Sequence, residues 1–513
     1  MAALILYGVV AWQNQSLVIE RSSVAGLLRV PLVAMRPAHP AGPPNLKVLL
    51  IHGLSASKSA MLQMGSELAR LGVDCFLIDL PGHGDSPTTF SRTAAGAAVE
   101  AVVAELLRND SPGPGTDDPT SRVPRLVLIG HSFGAGVAID AGQRDRRIAG
   151  VVALSPAAER VARDRPERLL VMLGEFDFPF VRRGAAFLFE EATGMRLPLL
   201  ERPGVWANPG KNQRLVVLPW ADHAQPLFRA EALWEIRAFL AELDPSIDNR
   251  AFSPWEFRAR SWLRTLLSAT LLLSWLPLFK LLSSSFRWRA HAGLSAEPAR
   301  QPGGAASRLW IYGVAAGLGT FLLRVANPWD GLGLMAGGYL AGWLCLVGLA
   351  GILVCRPSLR AIGATWQALL YSLLGWAVLT VVCAPAATRH FVHLTLTTGR
   401  IWRFPWIFLS VIPFYLFDEY VCESHLQGLG RLRMLLFHLS SRLILLIGLL
   451  VGFFVLNSEQ FLLVLILPGL LLMSILCWCL SRWVARHTGS IAASALFSAL
   501  ATAWFITVFF VQL

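Results

Sequence analysis

The chain has 513 residues, of which 54% are hydrophobic and 15% charged, with a formal net charge of +12. It is too long for one core, and its charged fraction lies well under the roughly 25% typical of a soluble domain, so a single soluble domain is excluded. The positive charge is nearly all arginine, much of it in short loops between apolar runs; that pattern reads as membrane topology and excludes a nucleic-acid binder, which would carry a basic stripe on a polar fold.

The apolar excess is unevenly spread. Residues 13–245 read as a soluble domain, 246–260 as a polar linker and 261–513 as repeated apolar runs. Of the 18 tryptophans only Trp12, Trp206, Trp220 and Trp234 precede residue 250, as interfacial aromatic belts in the second half require. The seven cysteines suggest no disulfide framework.

Residues 1–12 are apolar but short of the ~20 a bilayer crossing needs. They lack the basic start and small-residue cleavage site of a signal peptide, and read equally as a short membrane anchor or a buried strand. Leu17 to Glu20 and Pro31 to Arg36 are the first expected strands. Leu46 to Ile51 is almost wholly apolar, as in a parallel sheet covered on both faces, and ends in His52-Gly53-Leu54. A helix capped by Ser57 runs to Leu71 and stops at Gly72. Val73 to Asp79 is a strand leading into Leu80-Pro-Gly-His-Gly-Asp-Ser86, which contains His83. A helix over 91–107 and an exposed loop over 109–120 follow.

Leu126 to Ile129 then run into Gly130-His131-Ser132-Phe133-Gly134, with a helical pattern from Ala135 to about Asp145. This is strand, sharp turn, helix, with a serine at the apex. The two glycines are needed where a Cβ would strike the neighbouring strand or helix, and the helix N-terminus favours negative charge developing at the serine. Further strands are expected at Ile148–Leu154, Leu169–Leu173 and Leu215–Leu218, with helices at Val181–Thr193 and Ala230–Leu240. The last two strands end in Gly174-Glu-Phe-Asp177 and Pro219-Trp-Ala-Asp-His223. Strands alternating with helices predict an α/β fold with a doubly wound, mostly parallel sheet.

Taken together, Leu50-Ile-His-Gly53, Asp79-Leu-Pro-Gly-His-Gly-Asp-Ser86, Gly130-His-Ser-Phe-Gly134, Gly174-Glu-Phe-Asp177 and Ala221-Asp-His223 make residues 17–243 resemble the α/β-hydrolase fold, with serine, acid and histidine in that order. The resemblance implies Ser132 as nucleophile, His223 as its base and Asp177 as the acid that orients His223. It implies an oxyanion hole from the backbone N–H groups of Leu54 and Phe133. Glu175 is a rival acid, and Asp222 reads as a loop acid. His52, Gly53, His83, Gly130, His131, Gly134 and Trp220 are read as structural or pocket-lining residues of these motifs. No cofactor or metal is expected at the site. Only residues 156–168 separate the strand after the nucleophile helix from the strand of the acid, so no helical lid is expected there. The stretch 178–213, with Phe180, Phe187, Phe189 and Trp206, forms either a pocket wall or a surface excursion.

Eight apolar runs follow, at about 262–282, 309–326, 332–355, 362–383, 401–417, 434–456, 461–480 and 491–511, an all-α polytopic membrane domain. Loop arginines 287, 289, 300, 308, 356, 360, 431, 433, 482 and 486 gather on one side, which the positive-inside rule makes cytoplasmic and which puts the preceding domain on the other face. Arg258, Arg260 and Arg264 oppose that assignment. Around the fifth run cluster Arg400, Arg403, Asp418, Glu419, Glu423 and His425. Glu419 and Glu423 share a helical face suited to a metal or a proton, but the favoured reading is a helix end with snorkelling charges. The expected activity is cleavage of lipophilic carboxylic esters through an acyl-enzyme. A peptidase, amidase or acyltransferase with the same residues, and a non-enzymatic transporter or scaffold with a hydrolase-like binding module, are the alternatives. The expected partners are a small-molecule or lipid ester and the membrane, not nucleic acid; no oligomeric state is readable.

Overall fold

The structure is a computed structural model that describes residues 2–513 apart from 26–27, 41–44, 109–124, 158–160, 163–164, 198–201, 209–212, 248–251, 285–304, 359–361, 384–392, 427–430 and 455–460. The expected loop at 109–120 lies outside the described residues. The chain divides into two compact units, one holding residues 1–271 with 386–393, the other 272–385 with 394–513.

The first unit is built on a nine-stranded sheet in the order β1-β2-β4-β3-β5-β6-β7-β9-β8. The strands are β1 (Leu17–Val24), β2 (Val30–Pro37), β3 (Leu46–Ile51), β4 (Asp74–Ile78), β5 (Arg125–His131), β6 (Ile148–Leu154), β7 (Leu169–Gly174), β8 (Gly204–Asn208) and β9 (Gln213–Leu218). From β4 to β9 every neighbouring pair is parallel; β1, β2 and β8 pair antiparallel at the two ends. Strand β8 has no counterpart among the sequence-derived strands.

The central strands are buried throughout because each face carries its own core. Successive side chains of a strand point to opposite faces. On one face Leu49, Ile51, Leu126 and Leu128 meet Ala95 and Val99 of helix α3 (Arg92–Arg108), Ala138 of α4 (Phe133–Arg144) and Leu188 of α5 (Pro179–Thr193). On the other, Val48, Leu50, Val127 and Ile129 meet Met61 and Leu68 of α2 (Lys58–Arg70) and Leu233 and Ile236 of α6 (Ala230–Ala241). Helix α2 begins where expected: the Ser57 hydroxyl accepts from the Ser59 N–H at 3.2 Å. This is the doubly wound arrangement anticipated from the alternation of elements. The stretch 1–12, read as an anchor or a strand, falls in helix α1 (Ala2–Gln13) from its second residue on, so the strand reading is overturned.

Helix α7 (Pro254–Leu273) starts well before the apolar run at 262. Its first turns pack on α2 within the same unit. Arg260 donates to both carboxylate oxygens of Glu67, at 2.8 and 2.6 Å, Arg264 donates to the Ser66 hydroxyl at 2.8 Å, and Gln63 pairs with Ser261. Phe257 is buried in the adjoining core.

The second unit is helical. Among the described residues six helices are long and apolar enough to cross a membrane: 254–284, which begins in the first unit, then 337–355, 403–422, 432–454, 469–488 and 491–509. The run at 309–326 lies in α9 (Ala305–Val325), and that at 362–383 forms a 12-residue helix (Trp366–Ala377) continued by a π-helical turn. Neither belongs to the six. The chain therefore reads as a multi-pass membrane protein.

Candidate active site

The motif residues gather at the C-terminal ends of the parallel strands, where ligands bind in open α/β sheets. Strand β5 delivers Ser132 and β7 delivers Asp177, with His223 following β9 and His52 following β3. Ser132 has φ 52° and ψ −117°, a left-handed conformation that L-residues avoid. It persists because the surroundings hold it: its N–H donates to Leu154 O at 2.8 Å and its carbonyl accepts from Ala157 N at 3.1 Å. The glycines on either side are obligatory. A Cβ on Gly130 would lie 2.3 Å from Gly134 O, and one on Gly134 would lie 2.4 Å from His52 O.

The turn aims the Ser132 hydroxyl at His223. Ser132 Oγ lies 3.0 Å from His223 Nε2, and His223 Nδ1 lies 2.8 Å from Asp177 Oδ1. Asp177 is 2% exposed and its Oδ1 also accepts from the Phe178 N–H at 2.7 Å. The rival acid is committed elsewhere. Glu175 Oε2 accepts from the backbone N–H of Trp220 at 2.8 Å, and so holds Trp220 at a φ of 53°. Asp222 is a loop acid, as expected: its Oδ1 accepts from Ala224 N and Gln225 N, both at 3.0 Å.

The other histidines are bound into the backbone. His52 donates from Nδ1 to Gly53 O at 2.8 Å and accepts at Nε2 from Leu80 N at 3.0 Å, so its neutral ring is used at both nitrogens. Burial lowers its pKa, and Asp79 offsets part of that. His83 Nδ1 donates to Pro81 O at 2.8 Å. His131 donates from Nε2 to the carbonyl of His223 at 3.0 Å, bracing the loop that carries the base. Burial, reinforced by the neighbouring His223, lowers His131 to about 4.

Gly53 approaches the nucleophile so closely that a Cβ there would sit 3.0 Å from Ser132 Cβ. This brings the Leu54 segment beside Ser132, while Phe133 opens α4 directly after it. The segment is braced by a network that motif matching does not assign. Asp79, wholly buried, accepts from the Lys58 N–H at 2.8 Å and the Asp85 N–H at 2.8 Å, and forms an ion pair with the Lys58 ammonium, which also reaches Asp85 at 2.7 Å. Burial pushes Asp79 upward, but the Lys58 charge, the neighbouring His52 and the hydrogen bonds from Lys58 together outweigh it and hold the carboxyl below its usual range. Asp79 and Asp85 stand in the motif over 79–86, but nothing in its spacing marks Lys58, next to the helix-capping Ser57, as their partner.

The mouth of the site is aromatic. Phe178 lies 5.3 Å from the His223 ring and stacks on Phe180 at 5.7 Å, while Phe176 meets Trp220 edge-on at 5.8 Å. Phe176 is 60% and Trp220 75% exposed. Of the aromatics expected to line a wall in 178–213, Phe180 is the one this cluster includes. Phe189 is fully buried in the core and Trp206 packs against it, while Phe187 is an exposed residue of α5. No helix occurs among the described residues between β6 and β7.

Residues 42–181 match the family described as serine aminopeptidase, S33. No curated protein matches the chain in sequence. Among solved structures, the chain is similar to an esterase from Pyrococcus furiosus (17% identity, 45% of this chain and 94% of that one, TM-score 0.34). It is similar also to a dienelactone hydrolase from Anabaena variabilis (17%, 45% and 97%, TM-score 0.29) and a bacterial membrane phospholipase A (16%, 47% and 92%, TM-score 0.32). With the sheet order, the elbow at Ser132 and the family match over residues 42–181 in hand, the N-terminal part of this chain is a domain of α/β-hydrolase fold, followed by a helical region with helices apolar enough to cross a membrane.

Proposed function

We propose that the chain is a membrane-tethered serine hydrolase that cleaves lipophilic carboxylic esters through an acyl-enzyme on Ser132. The observation that carries this reading is the hydrogen-bonded line from Ser132 Oγ through His223 to Asp177. A serine hydroxyl is a weak nucleophile until a base takes its proton. Here His223 Nε2 accepts that proton as Oγ attacks the ester carbonyl, and Asp177 stabilises the resulting imidazolium. The N–H groups of Leu54 and Phe133 receive the oxyanion. His223 then protonates the leaving alcohol, and a water activated by the same imidazole releases the acid.

The exposed aromatics Phe176, Phe180 and Trp220, with the half-buried Phe178 between them and His223, support an apolar substrate. A ring cluster left in water beside the base gains free energy when an acyl chain covers it, at roughly 25 cal/mol per Å² of apolar surface. The family match favours one second reading, hydrolysis of an amide at a peptide N-terminus. Initial rates for p-nitrophenyl esters of graded chain length, set beside aminoacyl anilides, separate the two. The ester reading predicts kcat/KM rising from acetate to medium-chain esters, with anilides far slower. Anilide turnover exceeding that of every ester overturns it.

For orientation, the arginines that opposed an extracytoplasmic hydrolase domain have structural duties. Arg258 pairs with Glu231 at 2.7 Å, Arg260 with Glu67, and Arg264 bonds Ser66. Arg482, counted as a cytoplasmic loop charge, is buried against Glu419. The remaining loop arginines still favour the far face for the hydrolase domain. Protease treatment of intact cells tests this: cleavage within residues 17–243 is expected, and complete protection contradicts it.

A further inference from the structure

Within the helical unit, α12 (Arg403–Leu426), α13 (Arg431–Phe454) and α14 (Leu467–Thr488) enclose a buried polar cluster, one to two turns inside the C-terminal end of α12 and the N-terminal end of α13. Asp418 and Cys422 are one turn apart on α12, so they share a face. His438 of α13 faces them. A carboxylate oxygen of Asp418, the Cys422 sulfur and a ring nitrogen of His438 all lie within 4.8 Å of one another, and all three residues are buried.

His438 is the anomaly. It is 0% exposed, yet neither Nδ1 nor Nε2 has a hydrogen-bond partner among the described residues. Its ring stacks on Trp478 at 4.7 Å, which fixes the plane and leaves the nitrogens in the plane for a ligand. A buried polar atom without a partner calls for an explanation, and a bound ion is one of the few available. Asp418, by contrast, is rigidly supported. Tyr312 donates its hydroxyl to Oδ1 at 2.7 Å, Arg442 donates to Oδ1 at 3.0 Å and to Oδ2, and Arg442 is itself held by Ser474 at 2.8 Å. Two bonds fall on Oδ1 and one on Oδ2, so a lone pair on Oδ2 stays available. Carboxylates that bind metals are commonly oriented by such outer hydrogen bonds.

We propose that Asp418, Cys422 and His438 form an intramembrane site for a divalent transition metal, with zinc the best match. One oxygen, one sulfur and one imidazole nitrogen suit zinc and exclude magnesium and calcium, which require oxygen ligands. Three protein ligands leave a fourth tetrahedral position for a water or another donor. Binding converts the Cys422 thiol to a thiolate, so one proton leaves the protein for each ion taken up. The charges tolerate this. Arg442 is paired with Asp418, and Arg482 with Glu419, so the only new charges in the cluster are the dication and the thiolate. The site is separate from Ser132 and does not depend on the hydrolytic reading.

The test uses the full-length protein in detergent, stripped with a chelator, dialysed and titrated with Co²⁺ as a spectroscopic stand-in for zinc. The expected result is a single ion per chain, with visible bands of tetrahedral cobalt and a near-ultraviolet thiolate-to-cobalt charge-transfer band. Cys422→Ser should lose the charge-transfer band, and His438→Ala should weaken binding at least about tenfold. Both variants should keep the wild-type gel-filtration profile. Absence of the charge-transfer band in monodisperse wild-type protein overturns the proposal, and so does an unchanged band in Cys422→Ser. Wild-type uptake in the Asp418→Asn, Cys422→Ser, His438→Ala triple variant also overturns it.

Discussion

Asp177 and Glu175 stand two residues apart at the end of β7, and what each faces decides its use. Asp177 turns inward to His223, whereas Glu175 caps the Trp220 N–H. Motif position distinguished the two, but the left-handed φ of Trp220, which explains why a carboxylate is needed there, leaves no trace in residue type. His131 was legible as a member of the elbow and not as the brace of the loop carrying His223, because that contact joins positions 92 apart. His131 also predicts a pH response. Its pKa is about 4 in the fold, against 6.5 for an ordinary histidine. Between those values the unfolded chain takes up a proton that the folded chain refuses, so this residue's contribution to stability falls as pH drops from about 6.5 to about 4 and levels off below. The lowered pKa of His52 acts in the same direction. Thermal unfolding of the solubilised protein across that range should show a falling Tm, with a shallower fall in His131→Asn. An identical slope in the variant would count against the assignment.

At the scale of elements, the alternating strands and helices of residues 17–243 were legible because each parallel strand is buried on both faces and reads as an unbroken apolar run. Strand β8 was missed: it is a short edge strand, half exposed and paired on one side only, so it carries no such run. The start of α7 was missed for a different reason. An apolar run registers only the part of a helix free of charges, and the first turns of α7 carry Arg258, paired with Glu231, and Arg260, paired with Glu67. The expectation of snorkelling charges near Asp418 and Glu419 is corrected in the same terms. Both are 2% exposed, and their partners Arg442 and Arg482 lie 24 and 63 positions onward, beyond what helical spacing within one segment reveals. Glu67 gives the prediction at this scale. Its carboxylate is 2% exposed and takes both donors of Arg260. Glu67→Ala leaves a largely buried Arg260 with only the exposed Glu256 as acid partner and should lower stability by about 2 kcal/mol, measured as a reduced denaturation midpoint of the hydrolase unit. A midpoint equal to wild type would mean that α7 is not anchored through this pair.

For the whole molecule, one chain joins two kinds of core. In the first unit water drives apolar side chains onto two faces of a sheet, and the site sits at the strand ends, where loops are free to carry chemistry. In the second, the backbone bonds are made within helices, as a bilayer demands; buried Asp418 and Glu419 are paired with Arg442 and Arg482, and buried Arg400 and Arg403 donate to backbone carbonyls. Composition separated the two halves because each solvent selects a different surface. The pairing between helices was not legible, since it depends on which faces meet. The central claim is that Ser132, His223 and Asp177 act together, and its most direct test is labelling by a fluorophosphonate probe followed by mass spectrometry of the modified peptide. The account predicts a single phosphonylated serine, Ser132, with labelling abolished in Ser132→Ala, nearly lost in His223→Ala and slowed by orders of magnitude in Asp177→Asn. Folded wild-type protein that takes up no probe, or takes it up equally well in His223→Ala, would contradict it.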